Sequence, residues 1–384
     1  MRKVITGNEA VAHGVRLSRV QVIGAYPITP QTTIVEELSE MCADGRLRAK
    51  FIKVESEHSA LASIIASCAT GTRSFTATSS HGLALMHEML HWAAGARVPV
   101  VMVNVNRALG TGWNIWTDQT DSLSQRDTGW IQLYCENNQE VVDTIPQAYL
   151  IAETVKLPVM VVLDAFVLSH TAEATDIPEP EQIDAFLPPF QSEFTLTGRS
   201  HQSFNPIISP DYYMEFRYKI QKAMDETKEI AGDVDERYGR LLGRNYGSIE
   251  TYQWEGADTV LVTSGAVTST ARFAVDELNR EGIRVGLLKI KMFRPFPNEA
   301  IREVLGGTGK VAVLDRGLSF GQSGFFAQEI RSTFCNEEER PRIFGFVTGL
   351  GGRDVTPDLI REMIAYTLEN DRPKEEIVWI GLKQ

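Results

Sequence analysis

An alternation constrains this chain more than any other feature. Short runs of β-branched and apolar residues, each followed by a stretch with helical spacing, recur throughout residues 1–175. Segments 20–26, 51–54, 74–77, 98–105, 131–135 and 158–166 read as strands. Between them, 32–42, 56–69, 82–96 and 138–154 read as helices, the last with Pro146 in or near its first turns. A strand that leads into a helix and then another strand needs a crossover connection, which sets the strands parallel and covers both faces of the sheet. The fold class is therefore α/β.

The pattern breaks between Asp176 and Pro210, where Pro178, Pro180, Pro188, Pro189 and Pro206 crowd an aperiodic stretch. This reads as a linker or wrapping arm. Residues 211–242 are strongly charged and read as one long helix. From Asp258 a second alternation starts, with strands at 259–264, 285–290, 310–315 and 343–348 and helices at 268–281 and 325–334. The expected organisation is two parallel-sheet α/β domains, 1–175 and 257–384, joined by an extended, partly helical linker at 176–256.

Composition narrows the function. The 384 residues are 43% hydrophobic and 23% charged, as in ordinary globular proteins. The net charge of −12 argues against nucleic acid as the main partner. The best apolar run, 98–105, falls far short of the roughly 18–20 residues that span a bilayer. Met1-Arg2-Lys3 leads directly into sequence of folded character with no apolar signal region, so the expected location is the cytoplasm. Cys42, Cys68, Cys135 and Cys335 form no Cys-x-x-Cys segment, so they are expected to be plain thiols, and no cluster or metal is expected on this chain.

Polar residues gather where the strands of the first domain end. The first strand stops at Tyr26-Pro27-Ile28-Thr29-Pro30, because Pro27 and Pro30 have no backbone donor and fix φ. That leaves Thr29 on a stiff loop at the carboxyl edge, where open α/β sheets bind ligands. Glu55-Ser56-Glu57-His58-Ser59 follows the second strand, Thr78-Ser79-Ser80-His81-Gly82 the third and Asn106-Arg107-Ala108-Leu109-Gly110 the fourth. Glu57 has two readings. One is a first-turn carboxylate opposing the helix dipole; the other is a carboxylate that holds the ring nitrogen of a cofactor. Arg107 is either an ion-pair partner or a bidentate clamp for a substrate carboxylate. His58, His81 and His87 are less specific. The loop 111–118, with Trp113 and Trp116, suits a lid, an interface or core packing.

Absent motifs exclude other chemistries. No Gly-x-Gly-x-x-Gly, Walker loop, Gly-x-Ser-x-Gly elbow or His-Glu-x-x-His helix occurs. Nor is there a Gly-Asp-Gly segment with a downstream Asn, the kind that holds Mg²⁺ and a diphosphate.

Taken together, the motifs resemble a family. Tyr-Pro-Ile-Thr-Pro at 26–30, Val-Glu-Ser-Glu-His-Ser-Ala at 54–60, Phe-Thr-Ala-Thr-Ser-Ser at 75–80 and Gly-Leu-Ala-Leu-Met-His-Glu at 82–88 occur in order. Asn-Arg-Ala at 106–108 and Ser-Gln-Arg-Asp-Thr-Gly-Trp at 124–130 follow. Phe-Arg-Pro-Phe-Pro at 293–297, Leu-Asp-Arg at 314–316 and Gly-Leu-Gly-Gly-Arg-Asp at 349–354 extend the likeness through the second domain. The chain resembles the α subunit of the 2-oxoacid:ferredoxin oxidoreductases, which act on pyruvate or 2-oxoisovalerate.

That resemblance implies a pyrimidine-binding domain for thiamine diphosphate and a transketolase-C-like domain. The reaction it implies is CoA-dependent oxidative decarboxylation of a 2-oxoacid, giving acyl-CoA, CO₂ and reduced ferredoxin. Mg²⁺ and the [4Fe–4S] clusters would sit on partner subunits, a diphosphate-binding β, a γ and a ferredoxin-like δ, in a dimer of heteromers. Glu57 aligns with the glutamate on the aminopyrimidine N1′, and Tyr26, Pro27 and Ile28 belong to the same cofactor-facing loop. Thr29 and Arg107 align with the residues beside the substrate, and Asn114 lies in the loop bordering its pocket. Both Thr29 and Asn114 are neutral, which disfavours a second substrate carboxylate. Segments 91–95 and 118–122 lean toward the branched-chain class. Two other readings are half of a non-redox thiamine enzyme and a non-catalytic assembly subunit.

Overall fold

A computed structural model describes residues 1–110, 112–196 and 203–383. Thr111 of the tryptophan loop and residues 197–202 of the arm lie outside the described residues. The chain opens with β1 (Arg2–Thr6), α1 (Gly7–Leu17), β2 (Val22–Ala25), α2 (Thr32–Ala43), β3 (Lys50–Lys53) and α3 (Glu57–Ala69). It continues through β4 (Ser74–Thr78), α4 (Ser80–Leu85), α5 (His87–Ala96), β5 (Val101–Asn106), α6 (Thr120–Leu123), β6 (Ile131–Tyr134), α7 (Asn138–Val155), β7 (Val159–Asp164) and β8 (Ala172–Asp176). The arm carries α8 (Pro180–Phe186) and leads to α9 (Pro210–Leu242). The second unit holds β9 (Ile249–Tyr252), β10 (Thr259–Thr263), α10 (Val267–Arg280), β11 (Val285–Ile290), β12 (Met292–Arg294) and α11 (Asn298–Leu305). Last come β13 (Lys310–Asp315), α12 (Phe325–Thr333), β14 (Arg342–Val347), a 3₁₀ turn (Leu350–Gly352), α13 (Pro357–Glu369) and β15 (Val378–Trp379).

The first sheet runs β12-β6-β7-β5-β4-β2-β3, with β12 its one antiparallel member. Its central strands β5 and β7 are buried at every position, as expected of parallel strands covered on both faces. The chain runs from β2 outward to β3 and then back across β2 to β4, so the direction of winding reverses at β2. The second sheet runs β15-β14-β13-β10-β11-β9, parallel except for β9. The expected α/β architecture with two mainly parallel sheets is therefore observed.

Local chemistry explains the helix starts that aim the loops. Ser56 caps α3 by accepting from Ser59 N, which fixes Glu57 as the first helical residue. Thr6 and Glu9 form a reciprocal capping box on α1, and Pro210 opens α9.

Some expectations need correction. The single helix expected at 82–96 is two helices, α4 and α5. At their junction the Met86 N–H is shared between the carbonyls of Gly82 and Leu83, both at 3.1 Å. Pro146 stands in the middle of α7 rather than in its first turns. That helix is buried along most of its length, and packing against α1 and α9 compensates for the lost backbone bond. Two strands cross the expected domain boundaries. β9 joins the second sheet from the stretch read as linker, and β12 completes the first sheet from within the second unit. One continuous apolar cluster accordingly spans both sheets, with Tyr134, Met160 and Val162 packed in the same body as Val262, Leu288, Phe293 and Phe326.

Candidate functional site

The carboxyl ends of β2, β3, β4, β5 and β7 all lie along one edge of the first sheet. The loops that follow them carry the candidate residues. The winding reversal at β2 makes this edge the expected ligand crevice of such a sheet.

The loop after β2 is held from below. Gln31, fully buried, donates from Nε2 to the carbonyls of Tyr26 (2.8 Å) and Ala77 (3.2 Å), and Asn8 Nδ2 donates to Pro30 O at 2.8 Å. Gln31 N closes the turn onto Ile28 O. The result is a rigid platform on which Pro27 and Thr29 are exposed and Tyr26 and Ile28 half-buried. The Thr29 hydroxyl makes no hydrogen bond among the described residues.

Glu57 is 7% exposed, yet no hydrogen bond or ion pair among the described residues engages its carboxylate. The side chain lies against Gly82, where a Cβ would stand 2.7 Å from Glu57 Oε1 and 2.5 Å from Thr78 Oγ1. The Thr78 hydroxyl is itself buried without a partner. A helix-dipole role asks only for an exposed first-turn acid, whereas this side chain is largely enclosed and leaves its carboxylate open to a ligand at the edge. Gly82 is the small residue that makes room for this arrangement.

Arg107 is 3% exposed and joins two of the predicted site residues. Its Nη1 donates to Thr29 O at 2.8 Å and its Nε to Asn114 O at 3.1 Å. The guanidinium carbon lies 5.8 Å from the centre of the Trp113 ring. Burial lowers its pKa, partly offset by Asp121. Because Nε is committed to a backbone carbonyl, a carboxylate must be met by the terminal nitrogens, end-on. Of the two readings the sequence left open, an ion-pair partner and a bidentate clamp for a substrate carboxylate, no acidic side chain pairs with this guanidinium among the described residues, and Nη2 makes no hydrogen bond among them.

Both amide atoms of Asn114 are already engaged once. Its Nδ2 donates to Gly351 O at 3.0 Å and its Oδ1 accepts from Trp116 N at 2.7 Å. The residue borders the edge through its backbone, not through its side chain.

Sequence reasoning missed Asp121, the hub of the edge. It is wholly buried, and its Oδ2 accepts from Ser80 N (2.9 Å), Asn104 Nδ2 (3.0 Å) and Arg107 N (3.1 Å), while Oδ1 accepts from Ser122 N (2.8 Å). Burial pushes its pKa up to about 7 against the pull of the hydrogen bonds from Asn104, Ser80 and Arg107. One carboxylate thus ties the loop after β4 to the loop after β5. The only signal in the sequence was the polar run Thr117-Asp118-Gln119-Thr120-Asp121-Ser122, which gives no sign of its burial. The structure brings Thr29, Arg107 and Asn114 into direct contact and places Glu57 one loop away, beyond Thr78 and Gly82. His81 is exposed beside Gly110, whose N lies 3.4 Å from His81 Nε2.

A separate cavity of about 620 Å³ lies beneath the arm, walled by Phe190, Phe194, Phe204 and Phe216, and holds none of these residues. No group of three or more metal-ligating side chains occurs among the described residues.

Comparisons with known proteins identify the family and the fold. The family model described as pyruvate flavodoxin/ferredoxin oxidoreductase, thiamine diphosphate-binding, matches residues 13–236. The model for pyruvate:ferredoxin oxidoreductase core domain II matches residues 257–360. The ketoisovalerate oxidoreductase subunit VorA of Pyrococcus horikoshii is 48% identical, covering 100% of this chain and 99% of its own length. The pyruvate synthase subunit PorA of Methanothermobacter thermautotrophicus is 45% identical, covering 100% and 98%. Among solved structures, 2-oxoglutarate:ferredoxin oxidoreductase from Magnetococcus marinus shares the fold at a TM-score of 0.75 and 23% identity, over 96% of this chain and 65% of that one. A split-gene transketolase shares it more loosely, at a TM-score of 0.56 and 13% identity.

Proposed function

The chain belongs to the thiamine-binding pyruvate flavodoxin/ferredoxin oxidoreductase family, as an α subunit of the 2-oxoacid:ferredoxin oxidoreductases, and on that premise we propose what its residues do. It is the subunit that presents the aminopyrimidine side of thiamine diphosphate and the carboxylate grip for a small 2-oxoacid. The complex oxidatively decarboxylates that acid with CoA, yielding acyl-CoA, CO₂ and reduced ferredoxin. One observation carries this reading: Glu57, only 7% exposed, holds its carboxylate at the ligand edge of the sheet with no protein partner among the described residues.

Thiamine diphosphate, when bound, supplies a carbon nucleophile and an electron sink. Glu57 shares a proton with the pyrimidine ring nitrogen, which favours the tautomer able to accept a proton elsewhere on the ring system. Tyr26, Pro27 and Ile28 form the stiff wall beside it. The Thr29 hydroxyl donates to a substrate oxygen. The terminal nitrogens of Arg107 meet the substrate carboxylate in a nearly dry setting, where charge-assisted hydrogen bonds are strong. Asn114 shapes the pocket rim.

Thr29 and Asn114 are neutral, so the reading takes a 2-oxoacid with a single carboxylate. Relatives named for ketoisovalerate and for pyruvate match almost equally well, and one methylene in an apolar pocket discriminates by only about 1–3 kcal/mol. The remaining parts of the reading are Mg²⁺ and [4Fe–4S] clusters on β, γ and δ partners, a ferredoxin acceptor, assembly as a dimer of heteromers, a cytoplasmic location and the division at 175 and 256. No described helix is long and apolar enough to cross a membrane.

The test is CoA-dependent viologen reduction by the complex purified anaerobically, with pyruvate and 2-oxoisovalerate side by side. Reduction with one or both, abolished in Glu57→Gln, is expected. No reduction with any 2-oxoacid, in a complex that retains its cofactors, overturns the reading in favour of a non-redox thiamine enzyme or an assembly subunit.

A further inference from the structure

The second sheet has a ligand edge of its own, formed by the carboxyl ends of β10, β13 and β14. A segment of the first domain occupies it. Gln119 N donates to Arg316 O at 2.6 Å and Gln119 Nε2 to Ser264 O at 3.1 Å. Thr117 Oγ1 donates to Asp164 Oδ1 at 3.2 Å, and the same carboxylate accepts from Arg316 Nη1 and Ala266 N. Gly352 N donates to Thr117 O at 2.7 Å and Gly351 N to Asp118 Oδ2 at 3.3 Å, while Asn114 Nδ2 donates to Gly351 O. Gly352, at φ +82°, marks the closest approach, since a Cβ there would overlap the Cβ of Trp116.

The other side of this segment is bonded to the site. Asn114 O accepts from Arg107 Nε, and Trp116 O accepts from Ala108 N at 3.0 Å. We propose that the second domain serves catalysis as a clamp. Its sheet edge grips residues 114–119 so that the Asn114 carbonyl fixes the rotation of the Arg107 guanidinium, and Asn114, Thr117 and Gly352 are positioning residues for substrate binding. This rests on the reading of Arg107 as the carboxylate grip. It gives the second domain, which holds no candidate catalytic side chain of its own, a role in substrate affinity.

The test uses the assembled complex. Gly352→Ala drives the segment away from the second domain and is expected to raise the KM for the 2-oxoacid about tenfold, with kcat within about twofold of wild type. Thr117→Val, isosteric and able to fold where the glycine variant is not, moves KM in the same direction by about threefold. Tyr252→Phe removes a second-domain hydrogen bond to Asp276 outside this clamp and leaves KM unchanged. A readout independent of turnover is trypsin cleavage at the Arg107–Ala108 bond, mapped by mass spectrometry, which increases in Gly352→Ala and Thr117→Val only. Unchanged KM and unchanged cleavage in assembled Thr117→Val complex overturn the clamp, as does an equal KM rise in Tyr252→Phe. A wild-type complex that turns over no 2-oxoacid overturns the reading of Arg107 instead, and the cleavage pattern still decides whether the second domain holds the segment.

Discussion

Two regions of this molecule bury charge, and they handle it in opposite ways. At the junction between the sheets, Lys289 Nζ lies 2.9 Å from Glu140 and 3.0 Å from Glu136, and Lys291 Nζ lies 2.9 Å from Glu140. Arg272 pairs with Glu136 and Glu250. Asp143 receives Tyr238, Tyr246 and a two-pronged Arg244. At the edge of the first sheet, by contrast, the Thr78 hydroxyl is buried with no partner, the largely enclosed Glu57 has no bond to its carboxylate among the described residues, and Arg107 spends part of its fork on backbone carbonyls. Burial alone therefore does not distinguish a structural charge from a functional one. What distinguishes them is whether the protein itself supplies the counterpart.

The largest expected effect sharpens this contrast. Glu57→Gln lowers kcat/KM of the complex about 10²–10⁴-fold while leaving the melting temperature of the subunit nearly unchanged, because no protein bond is lost. A substantial drop in melting temperature would place Glu57 with the structural charges. Glu140→Gln is its mirror image. It leaves two buried ammonium groups undercompensated and destabilises the fold by about 3–5 kcal/mol in urea unfolding, with KM unaltered in the folded fraction. A smaller effect follows from Arg107→Lys. A single ammonium cannot serve two carbonyls and a carboxylate, and the KM for the 2-oxoacid rises about tenfold or more at near-constant stability.

The two regions also respond oppositely to acid. Burial tends to raise the pKa of Glu140, but Lys291 and Lys289 pull it down to about 2 from 4.5. Its stabilising contribution is complete above pH 4.5 and is lost as pH falls through 2. Asp121 stands at about 7 in the fold against 3.8 when exposed. The native state takes up its proton first, so Asp121 adds stability as pH falls from 7 toward 4. Urea unfolding between pH 8 and 3 tests this: Asp121→Asn removes the gain between 7 and 4 and leaves the acid loss in place. The smallest effect lies at the junction's wet rim. The Lys228–Glu299 pair at 3.1 Å is partly exposed, and Glu299→Gln shifts stability by less than about 1 kcal/mol.

What was legible in the sequence followed from local chemistry. β5 and β7 announce themselves because a strand buried on both faces is mostly apolar and β-branched, and the Tyr26–Pro30 loop does so because proline ends a strand. That Glu57, Thr29 and Arg107 share one edge was legible from the order of the parallel strands whose carboxyl ends they follow. The misses depend on partners far away in the chain. β1 is stable only against β8, about 170 residues on, and β12 only against β6. The burial of Asp121 and the commitment of Asn114 to Gly351 are tertiary facts about otherwise ordinary polar residues, and no periodicity encodes them.

The edge strand that the second unit lends to the first sheet has a consequence for biosynthesis. The first sheet is finished only when Met292–Arg294 pairs with β6, so most of the second unit's early strands must leave the ribosome before the first lobe can close. Until then β6 presents a bare backbone edge, the kind of surface on which nascent chains stick to one another. The lobes are made in series, and a gene cut ahead of β9 would encode a first half that lacks the edge strand β12 of its own sheet.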